Sequence, residues 1–264
     1  MEKSKWLREP IRYTHIVVLL FYLSKMESTK YGRTYHFPFS PGTSSDDRFN
    51  HQYWTDIQSF PGLLYTEKLD GENNCLSKRG VFARSHAAPT ISPWTAALRE
   101  HWGRLKNDLG DLEFFGENLY AVHSIEYIKL EHYYYVFAAR IKDMWLSWDE
   151  VQFYAALFDL PTVPVLRVDI VKDLTPIRLQ NIIETFAARG SVFGSIDPRT
   201  GQYCTREGIV CRNTDGYSVS EFNHNVFKYV RQGHVQTDEH WSKSWKRTKL
   251  IWERNSKNGL ENNR

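Results

Sequence analysis

Cysteine is scarce in this chain. Cys75, Cys204 and Cys211 are the only three in 264 residues, an odd number without metal-ligand spacing. That excludes a disulfide framework and points to a reduced, cytosolic setting. Long apolar runs are also missing. The longest early one, Ile16 to Leu23, falls well short of the roughly 20 residues that a spanning helix needs. Its basic lead is that of a signal peptide, but no small-residue cleavage site follows, and Met26 comes just after it. Residues 1–30 are therefore read as an extension outside the fold, with no membrane partner. Nor does one sign of charge dominate: 34 basic against 31 acidic side chains give +3, too even to mark a nucleic-acid binder by total charge. No internal repeat and no low-complexity linker appears.

What is present is a globular composition, 41% hydrophobic and 25% charged, with 15% aromatics. Rings at this density suit a β-rich core and can equally stack on bases. Basic charge gathers at the end, where 241–264 holds seven Lys and Arg against two Glu. Tyr31 to Asp47, rich in Gly, Pro, Ser and Thr, reads as an extended lead-in. Gly62 to Ser85 reads as a meander of short strands, with turns at Asp70-Gly71 and Arg79-Gly80. Ser92 and Pro93 open a helix carrying Leu98, Trp102, Leu105 and Leu109 at helical spacing. Leu112 to Asn118 and Tyr133 to Ile141 read as buried strands. Ser147 with Glu150 forms a capping box for a helix through Phe158. Thr175-Pro176 starts a third helix, with Gly190 as its stop. Strands resume at Gly208 to Arg212, Tyr217 to Glu221 and Val226 to Val230. Trp241, Trp245 and Trp252 lie one or two turns apart, which predicts a C-terminal helix with an aromatic stripe and a basic remainder. The organisation is a single α+β domain over 31–240 with a helical tail over 241–264.

The sharpest local feature is Glu67-Lys68-Leu69-Asp70-Gly71-Glu72-Asn73, a lysine ending a strand before a tight turn. A lysine amine attacks phosphorus only when neutral, and its ordinary pKa of about 10.4 leaves little neutral amine at pH 7. Such a site must lower that pKa by a second cation, a metal or desolvation. Taken singly, the stretch is also a plain exposed lysine beside an Asp-Gly turn. The rest of the chain adds Phe115-Gly116-Glu117, Tyr135-Val136-Phe137, Glu207-Gly208-Ile209-Val210 and Lys228-Tyr229-Val230-Arg231, each on a predicted strand.

In this order and at these separations, the set resembles the nucleotidyltransferase motifs of RNA ligases, a superfamily shared with DNA ligases and mRNA capping enzymes. The resemblance covers Tyr31 to Trp241. Lys68-x-x-Gly71-x-Asn73 is similar to the RNA ligase version of the first motif. The lead-in Tyr31-x-Arg33-Thr34-x-His36-x-Pro38, and Lys228 through His234, Asp238, His240 and Trp241, are similar to a bacterial and phage group of RNA ligases. The resemblance implies an antiparallel-sheet nucleotidyltransferase (ATP-grasp-like ligase adenylation) domain with flanking helices. It leaves no room for an OB-fold after residue 241, which weakens the DNA ligase and capping readings.

It also implies ATP as AMP donor, Mg²⁺, and RNA 5′-phosphate and 3′-hydroxyl ends as partners. Lys68 would be the nucleophile. Glu67 would meet the base edge, Phe137 would stack on adenine, and Asp70 and Asn73 would touch the nucleotide or metal shell. Arg84 would bind phosphate or ribose, and Glu117 the ribose or metal. Glu207 would hold a metal. Lys228 would neutralise the α-phosphate and help to keep Lys68 neutral. Many relatives carry Lys-x-Lys in the last motif, whereas Val230 stands here in the second place, so either Arg231 supplies that charge from a shifted backbone or one phosphate contact is missing. Taken one at a time, Phe137 is equally a core ring, and Glu117, Glu207 or Arg84 a surface charge. His36 receives no catalytic role, nor do the other histidines. The rival readings are a nucleotidyltransferase that does not seal RNA and an idle RNA-end-binding module on the same scaffold. The tail's tryptophans and cations would either grip RNA or pack the tail on the domain.

Overall fold

A computed structural model describes residues 30–233 and 245–255. Two sheets make the frame. The first has the order β1 (Tyr35–His36), β13 (Val226–Val230), β11 (Gly208–Asn213), β2 (Gly62–Lys68) and β9 (Val165–Ile170). The second runs β12 (Tyr217–Ser218), β8 (Met144–Trp145), β7 (Tyr134–Ile141), β5 (Leu112–Asn118), β3 (Glu72–Ser77) and β4 (Gly80–Ala83). All pairings are antiparallel except β1 with β13. A small pair, β6 (Glu126–Tyr127) with β10 (Ser195–Ile196), stands apart.

Period-2 alternation sorts the side chains of the first sheet. Leu63, Tyr65, Ile209, Cys211, Phe227 and Tyr229 are buried in one core cluster with Ile57 of α1 (Tyr53–Gln58) and Leu179 and Ile183 of α4 (Pro176–Ala187). The other face looks at the second sheet. That sheet buries Phe114, Tyr134 and Val136 against Leu98 of α2 (Ala96–Leu105) and Val151 and Ala155 of α3 (Trp148–Leu157). Phe115 and Trp145 meet Tyr31 and Phe222 of α5 (Phe222–Asn225) between the two sheets.

Local signals placed most elements. The Ser147–Glu150 capping box is formed in both directions, and Thr175 caps α4 by accepting from the Arg178 N–H, with Pro176 in the first turn. Ser92 makes no side-chain cap, and a 3₁₀ turn over Pro93–Thr95 leads into α2 instead. The Tyr217 to Glu221 strand is shorter than expected, giving way at Val219 to a 3₁₀ turn.

The meander is corrected. β3 and β4 form a hairpin, but β2 pairs with β11 and β9 in the other sheet. The turn at Asp70-Gly71 therefore carries the chain from one sheet to the other, and Lys68 ends its strand at the mouth of the gap between them. Backbones pass so closely there that a Cβ on Gly71 would lie 2.5 Å from the Asn118 carbonyl.

The tail is corrected too. Trp241, with His234, Asp238 and His240, lies outside the described residues. Residues 246–248 are extended along 120–122, with Val122 N donating to Lys246 O and Thr248 N to Tyr120 O at 2.8 Å each. Among the described residues of the tail, 251–255 are helical and 245–250 are not. Trp245 and Trp252 thus share no stripe: Trp245 sits against Trp94 and Tyr120, while Trp252 is exposed. Three of the described cations here are partnered within the protein, Lys246 and Arg254 with Glu126, and Arg247 with Glu253. Among the described residues no helix is long and apolar enough to cross a membrane.

Candidate active site

A cleft of about 540 Å³ opens between the sheets, and Lys68, Asn73, Arg84, Glu117, Phe137 and Lys228 all line it. Lys68 and Thr66 reach it from β2, Val210 and Arg212 from β11, Lys228 from β13, and Asn73 and Glu117 from paired positions of β3 and β5. Glu207 adjoins it, with its Oε1 accepting from Lys68 Nζ at 2.6 Å. Arg84 is exposed at the rim.

The aromatic residue arrives by a device that pattern reading does not see. In the β5–β7 register Phe115 pairs with Ala138 and Gly116 with Val136, so Phe137 is the extra residue of a β-bulge. A bulge bends the strand and re-aims its side chain, and it frees a carbonyl. Arg212, buried on β11, donates from Nη1 to that Phe137 carbonyl.

Charge in the cleft is unevenly balanced. Glu117 Oε1 accepts from the Gly71 N–H at 3.0 Å. Burial raises its pKa most strongly and Glu207 and Asp70 add to the rise, against Lys68, so its carboxyl stands at about 8. For Lys68 burial pushes the pKa down, but Glu207, Glu117 and Asp70 push harder the other way, and the net direction is up. The expectation of a depressed lysine is thereby corrected: without nucleotide, the carboxylates hold the amine protonated. Lys228 does go down, because burial outweighs Asp47 and Lys68 is a nearby cation.

Asp70 and Arg231 do not line the cleft, and the Glu67 carboxylate is engaged away from it. The carboxylate of Asp70 is clamped by Ser124 N, Ser124 Oγ and Ile125 N, each at 2.8 Å, so it fastens the sheet-to-sheet turn. Glu67 lines the cleft one residue before Lys68, but alternation turns its carboxylate toward the opposite face. There it accepts from Val192 N at 3.0 Å, with Arg206 at 3.6 Å. Arg231 fails for the same reason. The strand stays extended past Val230, with Arg231 N donating to Glu207 O, so position 230 shares Lys228's face and 231 does not. Sequence reading missed Thr66 and Arg212, which strict alternation from Lys68 and Gly208 would have placed. It also missed His123, which a loop brings to the cleft from outside any motif.

Among the described residues no group of three or more His, Cys, Asp or Glu is arranged to hold a metal by itself. Glu117 and Glu207 nevertheless form a hard oxygen donor pair, and Glu207 adds to the rise that burial gives the Glu117 carboxyl. That suits a divalent cation whose remaining ligands come from phosphate and water.

The Glu117 carboxyl has a consequence for stability. Its folded pKa lies above the ordinary carboxylate value, so the folded state binds the extra proton and stability falls as pH rises toward 8. His36, whose pKa burial lowers to about 4, acts in the opposite sense, but its contribution is complete by about pH 6.5. From pH 6.5 to 8.5 metal-free protein should lose about 2 kcal/mol in urea unfolding, and Glu117→Gln should flatten the curve. Parallel curves for the two proteins would mean that Glu117 titrates normally in the fold.

A family model described as RNA ligase matches residues 63–230. No curated protein matches the sequence. An apo point mutant of the Naegleria gruberi RNA ligase is similar in structure at 17% identity and a TM-score of 0.49, covering 78% of this chain and 59% of that one. Another mutant of that ligase, with ATP and Mn, aligns at 19% identity and a TM-score of 0.47 over 86% of this chain and 63% of its own. An archaeal ATP-dependent RNA ligase aligns at 16% and 0.43, over 74% and 48%. The chain thus spans less than two thirds of the length of these relatives.

Proposed function

The chain belongs to the RNA ligase family, and from that premise we propose that it joins RNA 5′-phosphate and 3′-hydroxyl ends with ATP, through AMP carried on Lys68. The observation that carries the proposal is the Lys68 amine, 26% exposed at the end of β2, in one cleft with Glu117 and Lys228 and in contact with Glu207.

In the first step the Lys68 ammonium loses a proton, and Glu207 Oε1 at 2.6 Å is the acceptor at hand. The neutral amine attacks the α-phosphorus of ATP. An N–P bond forms, the bond to the β-phosphate oxygen breaks, and its electron pair leaves on pyrophosphate as the nitrogen releases a second proton. In the second step an oxygen of the RNA 5′-phosphate attacks the same phosphorus, and the lysine departs and regains its protons. In the third the RNA 3′-hydroxyl attacks the 5′-phosphorus, loses its proton and displaces AMP.

Every step is phosphoryl transfer, so positioning and charge neutralisation do most of the work. Lys228 offers positive charge for the α-phosphate, Phe137 a ring for adenine, Asn73 a polar contact and Arg84 a cation at the rim. A divalent cation such as Mg²⁺ held by Glu117 and Glu207 would offset both the phosphate charge and the carboxylates that keep Lys68 protonated.

The test is incubation with ATP labelled in its α-phosphate, Mg²⁺ and 5′-phosphorylated RNA in single-stranded, nicked-on-RNA and nicked-on-DNA forms. Labelled protein and sealed RNA are expected. Labelled protein without sealing of any form would indicate a nucleotidyltransferase of another acceptor. RNA binding without label would indicate an idle end-binding module.

A further inference from the structure

We propose that Asp47, with His36 behind it, is a positioning residue that holds the Lys228 ammonium in the cleft for the nucleotide's phosphate. The inference rests on the reading above and extends it to the lead-in, to which that reading gives no role.

The lead-in is expected from its composition to be a loop, yet it is fastened to β13 along its length. His36 pairs in parallel register with Lys228, and Phe37 N donates to Lys228 O at 3.0 Å. Ser40 Oγ accepts from Val230 N at 2.9 Å, and Gly42 N donates to Val230 O at 2.9 Å. Gly42 passes so close that a Cβ there would collide with the Arg231 carbonyl. This path returns Asp47 to the strand's cleft face, where Oδ1 accepts from Lys228 Nζ at 3.1 Å.

The carboxylate is itself fixed. Its Oδ2 accepts from Ser44 N and Ser44 Oγ at 2.9 Å each. His36, 1% exposed, places Nε2 3.0 Å from Oδ1, and its Nδ1 is 2.9 Å from Ser40 Oγ. A histidine held neutral, accepting from Ser40 at Nδ1 and turning Nε2 toward Asp47, fits that arrangement. Burial works against the Asp47 anion, but the Ser44 hydrogen bonds and Lys228 prevail, so it stays ionised.

The two cleft lysines thus have one carboxylate each, Lys68 with Glu207 and Lys228 with Asp47. Without Asp47, the charged and titratable groups left to act on Lys228 most strongly among the described residues are His36 on β1, Lys68 on β2 and Glu207 beside β11. Only Glu207 would attract it, and Glu207 already holds Lys68. The ammonium would swing toward that occupied pair, away from the place where it meets phosphate. A phosphate-directed cation differs from a merely structural one in which ligands it affects.

The experiment compares wild type, Asp47→Asn, Asp47→Glu and His36→Gln for binding of AMP, ATP and adenosine, and for the rate of covalent AMP uptake at saturating ATP. Asp47→Asn should weaken AMP and ATP binding about tenfold while adenosine binding stays at the wild-type value. Asp47→Glu should recover part of the loss, and His36→Gln should show a smaller loss of the same kind. Equal weakening of adenosine, or unchanged AMP and ATP binding in a folded Asp47→Asn protein, would overturn the inference. If wild type takes up no AMP at all, the ligase reading fails first, and this comparison reports that separately.

Discussion

Replacing Lys68 by alanine is expected to reduce covalent AMP uptake below detection, by at least about 10³-fold, because no other amine can take over a lost nucleophile. Among the described lysines of the cleft, Lys228 is the alternative, and it is tied to Asp47 on another strand. The substitution also leaves Glu207, only 8% exposed, beside Glu117 without its cation, which costs on the order of 1–3 kcal/mol. Urea unfolding must therefore accompany the assay, with Lys68→Ala/Glu207→Gln as the variant that removes both charges. RNA supplied already adenylated bypasses the first two steps, so Lys68→Ala should still seal it. Label persisting in Lys68→Ala would remove the residue from its role. Loss of label together with loss of sealing of adenylated RNA, in a protein that unfolds at lower urea, would point to structural damage instead.

The second large effect concerns Glu207→Gln, for which two consequences compete. Removing the anion that holds Lys68 protonated frees the amine at lower pH and by itself would speed attack. The same change removes the proton acceptor 2.6 Å from Nζ and one of two carboxylates available to a divalent cation. With the cation bound, the hold on the lysine proton is already relieved, so the gain disappears and the loss remains. At saturating Mg²⁺ the rate of AMP uptake should fall by about 10²–10³, the usual cost of one preorganised charged group. The rising limb of its pH profile should move to lower pH at limiting Mg²⁺ and stay in place at saturating Mg²⁺. A Glu207→Gln protein as fast as wild type at saturating Mg²⁺, with a limb unmoved at limiting Mg²⁺, would show that this carboxylate takes no part.

Most of the frame could be read along the chain because it is built from local signals. The Ser147–Glu150 box, the Thr175-Pro176 start and the apolar runs of β5 and β13 each act within a few residues, and those elements stand where they were expected. β9 escaped notice since its side chains are mostly half exposed at a sheet edge and show no clean alternation. The tail misled because three tryptophans at helical spacing are silent about a neighbouring backbone. Pairing of 246–248 with 120–122 decided the conformation there.

By itself the sequence singled out the groups that the proposed chemistry uses: a lysine, two carboxylates, a second lysine and a ring, each at a strand end or within a strand. It also determined, through period-2 alternation, that Arg231 stands off the cleft face and that the Glu67 carboxylate points away from the amine of its neighbour Lys68, although that consequence is easily overlooked. Only the tertiary structure decided that the Asp70-Gly71 turn crosses between sheets, that a bulge presents Phe137, and that Asp47 reaches Lys228 across 181 positions. Ionisation belongs to the same class. Burial and neighbouring charge set the state of Lys68 and Glu117, and both arise only when strands far apart in the chain close around one volume.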